Sequence, residues 1–158
     1  MTLLEVMIAV VILGFGLLGL GVLQAKSIAM GQSSYFRSIA ADMGNDLADR
    51  IRAQRTPFMV STDATVTPKK PPDFSRCTQS SATVTCATQV TGRTTDESFL
   101  TSEMQTWLDA LRAQLPNASY TLAQATSAST DYLRYTLTIT WLDNRQDNSS
   151  TSYSVVIE

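Results

Sequence analysis

Histidine is absent from the 158 residues, and with it every imidazole acid–base relay. Cysteine occurs twice, too few for a structural zinc site. Lysine and arginine total 12 against 14 aspartates and glutamates; with a net charge of −2 and no basic cluster, the chain lacks the electrostatic footprint of a nucleic-acid binder. No glycine-rich phosphate loop is present, because Gly14, Gly16, Gly19 and Gly21 have no strand before them and no Lys-Ser/Thr after them. These absences leave catalysis without a candidate residue. The expectation is therefore a non-enzyme with no metal, no cofactor and no small-molecule substrate. Basic residues are also missing ahead of the first apolar run, unlike a secretory signal peptide with its positive n-region.

That first run is what the chain does have. From Val6 to Leu23 there is no charged or polar side chain, about the length that crosses a bilayer's hydrocarbon core as a helix. One carboxylate, Glu5, stands at its head, where an ionised group in hydrocarbon costs several kcal/mol. A glutamate there can lie in the headgroup layer. It can also meet a cation inside an apolar assembly, and the amine of Met1, with a pKa near 8, is one such group. Between helices stacked with an axial offset, the amine of one chain would meet Glu5 of its neighbour.

The opening Thr2-Leu3-Leu4-Glu5-Val6 resembles the mature N-terminus of type IV pilins. The resemblance implies that a prepilin peptidase removes a short basic leader, that Met1 is N-methylated, and that Glu5 drives subunit docking. Gly16-Leu17-Leu18-Gly19-Leu20, with Leu23-Gln24 after it, and the later Leu47-Ala48-Asp49-Arg50-Ile51-Arg52-Ala53 are similar to minor pilins of the PilV type. Val22 stands where major pilins usually have proline, so any local unwinding would come from the glycines, which can equally mark close helix packing. On the extracytoplasmic side implied by this resemblance, Cys77 and Cys86 read as one disulfide.

Beyond Lys26 the pattern becomes amphipathic. Phe36, Ile39, Met43, Leu47 and Ile51 recur at spacings of three and four, with Asp42, Asp46, Asp49, Arg50 and Arg52 on the remaining faces. Gly31 and Gly44 weaken this helix locally without shifting its phase. Thr56-Pro57 is expected to end it, since proline disfavours helical backbone in the residue before it. Residues 56–95 then read as loop, with Thr83-Val84-Thr85 as a short strand. A second helix is expected from Asp96 to Leu115, capped by Thr95 or Asp96, with Phe99, Leu100, Met104, Trp107, Leu108, Leu111 and Leu115 as its stripe and Trp107 as an anchor against the long helix. Leu133, Tyr135, Leu137, Ile139 and Trp141 alternate with polar residues as in a half-buried strand. A turn at Asp143–Asn148 leads to a returning strand through Tyr153, Val155 and Ile157, and Tyr120 and Leu122 mark a preceding one. Asn117-Ala118-Ser119 and Asn148-Ser149-Ser150 match glycosylation acceptors, a motif frequent by chance.

The expected fold is α+β. A long helix, with a membrane and assembly segment at 1–25 and an amphipathic segment at 26–55, packs on a small antiparallel sheet. The 56–95 loop carries the disulfide, a second helix and the sheet occupy 96–158, and 26–158 form the globular part, as in pilins. The function implied is that of a minor pilin, stored in the bacterial inner membrane with its soluble part extracytoplasmic, which helps prime pilus assembly and joins the surface fibre at its tip, supporting twitching motility and adhesion. Partners implied are the prepilin peptidase, the inner-membrane assembly platform, the major pilin, other minor pilins and a tip adhesin. Two rivals share features of the sequence: a minor pseudopilin of type II secretion, which has the same opening, and a single-span binding protein that never polymerises.

Overall fold

The computed structural model describes residues 3–59, 70–89, 97–125, 133–144 and 149–158. The chain is α+β and divides into two compact units, Met1–Phe36 and Arg37–Glu158. Helix α1, Leu3–Met59, supplies all of the first unit's described residues and the opening of the second. It passes the Thr56-Pro57 step where the sequence predicts its end and continues to Met59. Proline's effect on the preceding residue is a bias, and one missing N–H in a last turn forfeits a single helical hydrogen bond.

In the first unit the apolar side chains of α1 face outward: Leu3 is 80% exposed, Phe15 71% and Val22 70%. In the second unit the stripe is buried. Ile39, Met43, Leu47 and Ile51 lie in the core with Ala40 and Ala48 beside them. Gly44 lies against the sheet; a Cβ there would lie 3.4 Å from Val155 Cγ1 and 3.5 Å from Tyr153 Cε1.

Within the expected loop of residues 56–95, the described residues 70–89 hold regular structure. A single 3-10 turn, Phe74–Arg76, leads into β1, Cys77–Ser80, which pairs antiparallel with β2, Thr83–Cys86. The expected strand at Thr83–Thr85 is present; its partner β1 carries no periodic apolar signal to reveal it. Ser81 takes a φ of 55° in the connecting turn. Helix α2, Glu97–Gln114, buries Leu100, Met104, Trp107, Leu108 and Leu111. Phe99 is 44% exposed, contrary to its expected place in the stripe. It neighbours Leu100 in sequence, one helical step of about 100° off the buried face.

Trp107 anchors α2 on α1: its Nε1 donates to the Met43 carbonyl at 3.0 Å, and its ring meets Tyr120 edge-on at 5.4 Å. Arg50 of α1 reinforces the join by pairing with Asp46 and, across to α2, with Glu103. Burial opposes its charge, but the bonds to Glu103 and Asp46 outweigh that and raise its pKa.

The main sheet has the order β3-β4-β5, antiparallel throughout: β3 Ser119–Ala125, β4 Arg134–Asn144 and β5 Ser149–Ile157. Tyr120, Leu122, Tyr135, Leu137, Ile139, Trp141 and Ile157 fill its inner face, as the period-two pattern requires. Strand β4 reaches Asn144, two residues into the expected turn, with an irregularity between Leu142 and Asn144; the remainder of that turn, 145–148, lies outside the described residues.

Candidate functional site

Glu5 occupies the first turn of α1, where the unpaired N–H groups of the helix start favour an anion by about 0.3–1 kcal/mol. Its side chain is exposed and heads an apolar strip formed by Val6, Ala9, Val10 and Leu13. Beyond its first turn the helix satisfies its own backbone hydrogen bonds, so there its side chains dictate the surroundings it requires. Those side chains are apolar from Val6 to Leu23, and α1 is long and apolar enough to cross a membrane. Fully burying one such Val, Leu, Ile or Phe contributes about 1.5–3 kcal/mol, so the exposed run represents a large free energy available to a bilayer or to neighbouring helices. Gly14, Gly16, Gly19 and Gly21 have open space around them. Met1, the other residue expected to act in assembly, lies outside the described residues.

The second expected feature is formed. Cys77 and Cys86 face each other in the β1–β2 register and are joined by a disulfide, with 3.9 Å between their Cα atoms. Side chains then tie the hairpin to its surroundings. The Val84 N–H donates to Gln105 Oε1 at 2.8 Å, Gln105 Nε2 donates to the Ala82 carbonyl at 3.0 Å, and Arg112 donates to the Ser81 carbonyl at 2.7 Å, all from α2. On the opposite flank the Tyr120 N–H of β3 donates to Gln79 Oε1 at 2.8 Å. Only Val84 and Cys77 of the hairpin are buried, so these polar ties, with the disulfide, decide its position.

A buried polar knot at the base of the hairpin was not foreseen. Gln89 and Asp73 bond reciprocally: the Asp73 N–H donates to Gln89 Oε1 at 2.8 Å and Gln89 Nε2 to the Asp73 carbonyl at 3.2 Å. Asp73 also caps the 3-10 turn by accepting from Ser75 N–H. Tyr135 Oη accepts from the Phe74 N–H at 3.2 Å, and Arg55 donates to the Leu133 carbonyl while lying 5.5 Å over the Tyr135 ring. Both Arg55 and Asp73 are at least nine-tenths covered. The members of the knot come from four separate stretches of chain, and no local spacing announces such a meeting. The knot is satisfied by its own members and fastens the segment to the sheet.

Among the described residues no three or more His, Cys, Asp or Glu side chains gather in a way that could hold a metal ion. Of the two glycosylation motifs, Asn117 is exposed in the turn after α2 with a φ of 52°, and Asn148 lies outside the described residues. No protein-family model, no curated protein and no solved structure matches this chain.

Proposed function

We propose that this chain is a minor pilin of a type IV pilus, of the PilV type: a non-catalytic subunit, held in the inner membrane by its apolar helix, that helps prime assembly and enters the fibre at its tip. The observation that carries the reading is a bare apolar helix with a single carboxylate at position 5, preceded by Thr2-Leu3-Leu4. An isolated carboxylate among packed apolar helices loses several kcal/mol of hydration, whereas one paired with a cation is tolerated. The N-terminal amine of a neighbouring subunit is the cation this reading supplies, and the pairing selects the axial offset between subunits. A long helix carrying a small antiparallel sheet is also the layout of a pilin, and the disulfide suits an oxidising compartment outside the cytoplasm. The partners are the prepilin peptidase, the assembly platform, the major pilin, other minor pilins and a tip adhesin.

The test is fractionation of a piliated host producing Glu5→Ala, with intact-mass measurement of the wild-type N-terminus. Expected are a processed, N-methylated wild-type chain and a variant that stays in the membrane fraction but disappears from sheared fibres. An unprocessed, unmethylated N-terminus, or the variant in fibres at wild-type levels, overturns the reading.

A further inference from the structure

An open cleft of about 480 Å³ lies where the last turn of α2, the β1–β2 turn and the start of β3 meet, a size typical of small-molecule sites. It lies wholly within the Arg37–Glu158 unit. Arg112 lines it from α2, Gln79 and Ser81 from the hairpin, and Asn117, Ser119 and Thr121 from the turn after α2 and from β3. Crevices between elements are commonly filled by solvent alone; the charge of Arg112 sets this one apart. Arg50, Arg52 and Arg134 each pair with a carboxylate. Arg112 instead donates from Nη1 to the Ser81 carbonyl at 2.7 Å, a neutral acceptor that fixes the side chain and leaves its charge uncompensated. The same carbonyl accepts from Gln79 Nε2 at 2.6 Å, and Gln79 Oε1 accepts the Tyr120 N–H, so helix, hairpin and strand are locked around the cleft. Asp109, the nearest acid along α2, accepts from Gln105, and no acidic residue is among those lining the cleft. The C-terminal end of α2 offsets only about half a unit charge.

We propose that this cleft binds a carboxylated sugar, with the carboxylate on Arg112 and the ring hydroxyls on Asn117, Ser119 and Thr121. A guanidinium presents a planar fork of donors that matches a carboxylate in shape and in charge. A phosphate monoester, with about −1.5 to −2 at neutral pH, calls for more than the one cation present. The rest of the lining is neutral and hydrogen-bonding. Among the described residues the side chains of Asn117, Ser119 and Thr121 have no partner, and Ser119 and Thr121, two apart on β3, stand on one face about 7 Å from each other, within reach of a single sugar ring. No aromatic face is offered for a nucleobase, since the Tyr120 ring is buried against Trp107. The inference goes beyond the pilus reading and does not need it.

The experiment follows the amide resonances of the full, isotope-labelled chain in detergent micelles during separate titrations with glucuronate, glucose and inorganic phosphate. Expected is saturable binding of glucuronate with a Kd of about 1 mM, glucose weaker by about tenfold, and no saturable binding of phosphate. The shifts should centre on residues 79–81, 112 and 117–121. Arg112→Gln removes the charge and should abolish the preference for glucuronate over glucose. Because that change also cuts the tie to Ser81, Asn117→Asp is the second variant: aspartate tolerates the φ of 52°, and the substitution leaves the hairpin's bonds in place while adding a carboxylate to the cleft. It should weaken glucuronate about tenfold and leave glucose unchanged. Glucuronate and glucose bound equally, phosphate bound as tightly as glucuronate, Asn117→Asp binding like the parent, or no shift at tens of millimolar glucuronate overturns the proposal.

Discussion

Reducing the Cys77–Cys86 bond leaves every other atom in place, so the stability difference between oxidised and reduced chain isolates what the cross-link contributes. The half-cystines are 9 residues apart. A closed loop of that size removes unfolded-state freedom worth about 3 kcal/mol in the chain-entropy treatment. The folded side loses little at once, since Gln105, Arg112 and Gln79 still bond the hairpin to α2 and β3. Both tryptophans, Trp107 and Trp141, are buried in the Arg37–Glu158 unit, so their fluorescence follows the folding of that unit and not the Met1–Phe36 unit. Taking a urea slope of about 1–3 kcal/mol per molar, reduction should lower the midpoint by about 1–3 M. The assay is urea titration of the full chain in detergent with and without a phosphine reductant, with both thiols counted. A shift below about 0.5 M with both thiols free refutes the reasoning, because the cross-link would then constrain nothing in the unfolded ensemble.

Two further outcomes follow from the core of the same unit. Gly44→Ala gains about 1 kcal/mol of helix propensity and its methyl meets Val155 at ordinary contact distance, so the midpoint rises, while Gly44→Leu overfills the helix–sheet contact and lowers it by about 1–3 kcal/mol; both are read by the same titration. Burial pushes the Tyr120 hydroxyl up to about 12 from an ordinary 10. A raised pKa means the folded chain holds this proton more tightly than the unfolded one; the resulting stability is complete below pH 10 and is lost as pH rises through about 12, an effect on the order of 3 kcal/mol. Tyr120→Phe should therefore flatten the alkaline arm of the stability profile, measured by urea midpoints from pH 9 to 12.

What the residues announce depends on how local the physics is. The α1 stripe, α2 and β4 were legible because each is one continuous period facing one core, and Trp107 was legible as an anchor because an aromatic of that size on such a face has nowhere else to go. The hairpin was half legible. Its cysteines gave the cross-link, but β1 is Cys-Thr-Gln-Ser, without an apolar period, and the hairpin is held by glutamine and arginine side chains that reach its turn and β2 from α2 and by Gln79 of β1 bonding β3. The Asp73, Gln89, Tyr135 and Arg55 knot was not legible at all, since its bonds span from 16 to 78 positions along the chain. Pro57 misled for a different reason: a rule about the residue before proline sets a preference, and the turns of α1 behind it favour carrying the helix on to Met59.

Glu5 remains the residue on which the two surroundings of α1 make different demands. In a headgroup layer a carboxylate needs only water, and its neutral amide analogue serves as well. Among packed apolar helices the charge itself matters, because the partner amine, once buried, is left uncompensated when the carboxylate is removed, at a cost of about 3–5 kcal/mol. Glu5→Gln keeps the shape and hydrogen-bonding capacity of the side chain and removes the charge. If pairing drives assembly, this variant should be nearly as depleted from sheared fibres as Glu5→Ala while its membrane-bound pool is unchanged, as measured by quantitative immunoblotting of both fractions. Fibre incorporation of Glu5→Gln at the wild-type level would show that hydrogen bonding or shape suffices, and would remove the charge pair from the mechanism.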